Sequence, residues 1–68
     1  MLEITKKFRF VRETSGALRY HEELGGGLLA EYPNTLGAAI GVLYIRKSAI
    51  KGKTPDQLTV TIAYTEKE

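Results

Sequence analysis

Between Leu2 and Phe10 the side chains take turns: Leu2, Ile4, Phe8 and Phe10 fall on even positions, while Glu3, Thr5, Lys7 and Arg9 fall on odd ones. A period of two is the mark of a β-strand with one face in the core and one in water. The period returns in Ala17–Glu22, where Leu18 and Tyr20 oppose Arg19 and His21. It returns again in Gln57–Thr65, where Leu58, Val60, Ile62 and Tyr64 oppose Thr59, Thr61, Ala63 and Thr65. No stretch of ten or more residues repeats at the helical period, so the chain reads as all-β. With 68 residues there is room for one domain, over 1–65, followed by a disordered charged tail at 66–68.

The breaks in the alternation are as informative as the pattern. In the first strand, Leu2–Glu13, Lys6 sits on the apolar parity and Val11 on the polar one, which predicts a kink near Lys6–Lys7 or near Val11. Thr14-Ser15-Gly16 supplies turn chemistry and makes the first two strands a hairpin. The segment 23–39 then reads as a long loop within the domain. Gly25-Gly26-Gly27 is a flexible connector, Leu28–Tyr32 has room for a short helical turn that Pro33 ends, and Asn34–Gly37 is a turn. Ser48–Asp56 is a second loop, with room for one turn of helix at its start.

Ile40–Lys47 is different. Ile40, Val42 and Tyr44 lie on one side and Leu43 and Ile45 on the other, so this strand is apolar on both. A single antiparallel sheet leaves one face wet, and an exposed Leu or Ile forgoes roughly 1.5–3 kcal/mol of burial free energy. The expected architecture is therefore a four-stranded antiparallel sheet of hairpin, long loop, central strand and last strand. It has the option of curling into a small open barrel, and both faces of the third strand are shielded from water. Below roughly 70–80 residues a single core rarely suffices, and oligomerisation is a remedy open without metal or disulfide. A homo-oligomer, a dimer, follows, with Leu43, Ile45, Leu28, Leu29, Tyr32 and Leu36 as its interface.

Chemistry-bearing constellations are sparse. The chain has no cysteine and a single histidine, His21, which gives no transition-metal ligand set and no nucleophile–base pair. Gly25–Gly27 lacks the Lys and Ser/Thr that follow a phosphate-binding glycine loop. Glu22 and Glu23 point to opposite faces of a strand, and Ser15 and Ser48 have no partner at a motif spacing. No catalytic residue, metal or cofactor is expected. No apolar run approaches the roughly 20 residues of a membrane span, and the N-terminal residues lack the apolar core of a signal peptide, so the expected setting is cytoplasmic.

Basic residues cluster. Lys6, Lys7, Arg9, Arg12 and Arg19 lie within the first twenty residues, and Arg46, Lys47, Lys51 and Lys53 within 40–55 without an acid among them. Interleaved with Phe8, Phe10, Tyr20 and Tyr44, they suit a single-strand nucleic-acid surface, although Phe8 and Phe10 share the core parity.

Phe8-Arg9-Phe10 with Leu18-Arg19-Tyr20, then Ile40–Ala49 (IGVLYIRKSA), and finally Leu58–Ile62 (LTVTI) resemble short hypothetical proteins found in many bacterial genomes. The resemblance implies a bacterial or phage-like cytoplasmic setting and brings no activity with it. Three readings stand: a non-enzymatic interaction domain that self-associates through its doubly apolar strand; a small nucleic-acid-binding protein using Lys7, Arg9, Arg19, Arg46, Lys47, Lys51 and Lys53; and an oligomer that binds a small ligand or nucleotide near Gly25–Gly27 and Tyr32.

Overall fold

The computed structural model describes residues 1–32, 35–51 and 53–66. What the sequence suggests at Pro33, Asn34, Gly52 and the last two tail residues lies outside them. The chain is all-β, with strands β1 (Leu2–Glu13), β2 (Ala17–Gly25), β3 (Leu28–Leu29), β4 (Val42–Arg46) and β5 (Gln57–Tyr64) and one short 3-10 turn over Lys47–Ile50. All pair antiparallel in one open sheet of order β3-β2-β1-β5, with β4 beside β2. The hairpin strands are thus the centre. The third predicted strand is not central but lies at an edge, because β1 already occupies the other side of β2. The sheet does not close into a barrel.

Three sequence signals set the connections. Thr14 closes the first hairpin, its amide donating to the Ala17 carbonyl at 2.8 Å and its hydroxyl at 3.0 Å, around a two-residue Ser15-Gly16 loop. Val11 is the predicted irregularity: Phe10 pairs with Tyr20 but Arg12 pairs with Arg19, so one residue bulges out of register. The glycine run is a turn rather than a loose connector. Gly25, Gly26 and Gly27 have φ of 98°, 61° and 82°, a conformation other residues resist, and they fold the chain back so that Leu28 and Leu29 pair with β2. The helical turn expected at Leu28–Tyr32 is therefore replaced by a strand over its first two residues.

Along one edge, β2 changes partner. Ala17–His21 pair with β4 and Glu23–Gly25 with β3. Glu22 stands at the junction. Its amide donates to the Gly41 carbonyl at 2.8 Å, and its carbonyl accepts from the Ala30 amide at 2.9 Å. Its carboxylate turns to the core side, only 1% exposed. There the amides of Ala39, Ile40 and Gly41 donate to Oε1 at 3.1, 2.8 and 3.1 Å, and Ala39 also reaches Oε2 at 3.0 Å. Gly41, at φ 91°, gives the backbone the bend that lets consecutive N–H groups converge on one anion. Burial pushes the Glu22 pKa up, but the amides of Ile40, Ala39 and Gly41 outweigh it and hold the group below its ordinary value.

The core is small. Phe8, Leu18 and Tyr20 are fully buried, with Phe10, Ile40, Leu43, Ile45, Ile50, Leu58 and Val60 packed around them. Leu43 and Ile45 pair with Tyr20 and Leu18, so they share that face. Ile40 from the loop and Ile50 from the 3-10 turn join them there. Phe10 meets the Tyr20 ring edge-on at 5.7 Å. The Tyr20 hydroxyl donates to the Pro55 carbonyl at 2.7 Å and ties down the chain ahead of β5. Burial and then the charge of Asp56 raise its pKa and keep it a donor.

The other side of β4 is not shielded as expected. Tyr44 is 54% exposed, because its face of the sheet carries the polar parity of β1 and β2.

Candidate nucleic-acid interface

Residues opposite one another in an antiparallel ladder share a face, so register alone maps the outer surface. One row across the sheet is Gln57, Arg9, His21 and Val42. The next is Arg12, Arg19 and Tyr44. Lys7 opposite Thr59 flanks the first row, and Arg46 opposite Ala17 flanks the second. Five cations from three strands thus share one face, against the carboxylates of Glu23 and, further along β1, Glu3, with the charge of Glu31 also felt at His21.

The arrangement is built rather than accidental in its details. The Arg19 guanidinium carbon lies 5.8 Å from the centre of the Tyr44 ring, a cation–π geometry. Its Nε donates to His21 Nε2 at 2.8 Å, which requires that nitrogen to be an unprotonated acceptor. Burial first, then the neighbouring Arg19 and Arg12 charges, lower the His21 pKa, against the Ala30 backbone and Glu31, which raise it. The ring is therefore neutral at pH 7 and fixes the Arg19 side chain beside Tyr44. Arg9 Nη2 lies 3.7 Å from Glu23 Oε2, and Gln57 donates to that same oxygen. Arg12 and Arg46 are exposed on this face.

Of the seven basic residues singled out from the sequence, four come together here: Lys7, Arg9, Arg19 and Arg46. Lys47 instead pairs with Glu13, and Lys51 and Lys53 belong to the segment that follows the 3-10 turn. Arg12 is the residue that sequence parity misses. Strict alternation sends it to the core side, and only the bulge at Val11, the apolar residue on the polar parity, carries it across. Of the four aromatic residues interleaved with the cations, Phe8, Phe10 and Tyr20 are core, and Tyr44 alone faces outward.

The six apolar residues proposed as an interface do not form one surface. Leu43 and Ile45 point into the chain's own core, and Leu29 lies opposite Glu23. Leu28 and Tyr32 are largely exposed, and Leu36 is 96% exposed. Beside the glycine turn lies a shallow hollow lined by Arg9, Glu23, Gly25–Gly27, Leu28 and Leu29, which does not include Tyr32.

Among the described residues no helix is long and apolar enough to cross a membrane. No protein-family model, no curated protein and no solved structure matches the chain.

Proposed function

We propose that the chain is a small, non-enzymatic, cytoplasmic protein that binds single-stranded nucleic acid on the outer face of its sheet. One observation carries the reading: Lys7, Arg9, Arg12, Arg19 and Arg46, from three strands, share one face of the sheet with an exposed aromatic ring, Tyr44. Cations that follow a phosphate backbone, and a ring on which a base stacks, are the two components of sequence-tolerant single-strand binding. An open sheet face offers no ridge for the major groove of a duplex but exposes the ring to unstacked bases. His21 adds preorganisation, since it holds Arg19 beside the ring on which a base would stack.

The test is fluorescence anisotropy with labelled single-stranded and duplex oligonucleotides across a salt series. If each of the five cations neutralises one phosphate, log K against log salt should fall with a slope of about −3.5 for the single strand. Single-strand binding at low salt, tighter than duplex binding, is the expected result. Absence of binding at low salt would refute the reading.

A further inference from the structure

The sheet order ends at β5, an eight-residue strand. It is an edge strand whose register with β1 runs unbroken from Leu2↔Tyr64 to Arg9↔Gln57. Its sequence, QLTVTIAY, contains no charge, no proline and no glycine. Natural sheets guard such edges with lysines, prolines, bulges or short strands, because a bare edge is a template for another strand. The other edges of this sheet follow that rule: β3 has two residues, β4 has five and ends in Arg46, and the part of β1 that extends past β2 carries Glu3, Lys6 and Lys7. Among the described residues, β5 alone is unguarded.

The ladder also shows which groups are free. The Phe10 amide donates to the Asp56 carbonyl at 2.8 Å. In this register hydrogen-bonded pairs alternate with non-bonded ones, so Leu58, Val60, Ile62 and Tyr64 spend their backbone groups on β1. The N–H and C=O of Gln57, Thr59, Thr61 and Ala63 therefore point off the sheet.

We infer that this edge pairs with β5 of a second copy about a two-fold axis at Val60. That register sets Gln57 against the partner copy's Ala63 and Thr59 against its Thr61, so the free N–H and C=O groups of both strands are used. On the core side Leu58 meets Ile62 and Val60 meets Val60, apolar on apolar. On the outer side threonine meets threonine. A shift by one residue would oppose the faces, and a shift of the axis to Thr61 would bring Asp56 against Glu66. A strand of another protein would need charges along the edge to select it, and Gln57–Tyr64 carries none. What β5 matches on both faces is its own sequence reversed. The small core gives the association a purpose, since half-exposed Leu2 and Tyr64 flank the joint and a chain this short gains most from shared apolar surface.

Sedimentation equilibrium at micromolar concentration, with no nucleic acid present, should give twice the chain mass of 7.6 kDa. Amide exchange should show Thr59 and Thr61 protected, although their N–H groups point out of the single chain. Thr61→Pro removes an N–H that the single chain does not use; it should keep the β-sheet circular dichroism and yield the 7.6 kDa species. If that variant fails to fold, Thr61→Lys, exposed on the outer face, carries the same expectation. A wild-type monomer with fast exchange at Thr59 and Thr61 would overturn the inference, as would a dimer that survives the folded variant. Because neither readout involves an oligonucleotide, its failure is separate from that of the binding face.

Discussion

Replacing Glu22 with glutamine probes the carboxylate that joins two parts of the fold. In the native chain three amides converge on it, all of them reaching Oε1 and Ala39 also reaching Oε2. A glutamine of the same shape can present its carbonyl at the Oε1 position. Its NH2 group then faces the Ala39 amide, and each remaining bond loses the assistance of charge. Bonds to a charged group contribute about 1.5–3 kcal/mol and neutral ones about 0.5–1.5, and a neutral amide costs less to bury. The net loss is therefore about 1–3 kcal/mol. Glu22→Ala leaves all three amides without their acceptor and should cost about 3–5 kcal/mol. For a domain this small, near the lower end of the usual 5–15 kcal/mol, that approaches the whole stability. In urea, with a slope near 1 kcal/mol/M for a small domain, the glutamine variant should unfold about 1–3 M earlier at pH 7. The pH profile supplies the control. The folded pKa of Glu22 lies below its ordinary 4.5, so its contribution is complete above that value and is lost as pH falls through the depressed one. The gap between wild type and Glu22→Gln should therefore narrow below pH 4.5. Equal midpoints at pH 7, or a gap that does not shrink in acid, would refute the role assigned to this carboxylate.

Three further outcomes follow from the geometry. Tyr20→Phe removes the hydroxyl that holds Pro55 and should cost about 0.5–1.5 kcal/mol in chemical denaturation, with the loop ahead of β5 exchanging its amides faster. In oligonucleotide binding, Tyr44→Ala should lose about 1–3 kcal/mol of affinity with the salt slope unchanged, whereas Arg12→Ala should flatten the slope by about 0.7; interchanged effects would contradict the division between ring and cation. His21 should make binding tighten as pH falls below 6.5, because its lowered pKa places protonation there and the new charge joins the same face. His21→Asn should remove that dependence, and anisotropy between pH 7.5 and 5.5 measures it. The same protonation should weaken the fold, since a depressed histidine pKa contributes stability that is lost as pH falls.

Most of the sheet is legible in the sequence, because alternation is a direct image of burial. Phe8, Phe10, Leu18, Tyr20, Leu58 and Val60 all lie where parity places them. What parity cannot supply is pairing order. Nothing in Ile40–Lys47 says that both sides of the central hairpin are taken in such a way that this strand ends at an edge, with Tyr44 in water beside Arg19. The glycine run hides its role for a related reason: a flexible connector and a tight left-handed turn share one composition, and only the neighbouring Leu28-Leu29 pairing distinguishes them. Glu22 is the least legible residue of all. It occupies a core position as an acid, and its justification is a set of backbone amides seventeen to nineteen residues away, which carry no side-chain signature. On the basic face, the four cations on regular parity are legible and Arg12 is not.

The bulge at Val11 has a consequence of its own. A two-residue period behaves like a reading frame, and one supernumerary residue shifts everything downstream of it. Up to Phe10 the first strand is in frame with Tyr20; past Val11 it is out of frame, which turns Arg12 toward Arg19 and brings Glu13 round to the side where Lys47 waits. Deleting Val11 alone would remove the extra residue and leave Arg12 opposite Arg19 and Glu13 opposite Leu18, whereas drawing Val11 into the ladder would press Arg12 against Leu18 and strand Lys47. Loss of Val11 should therefore be tolerated by itself, whereas a loss of the kink that keeps the residue in place would turn Arg12 inward.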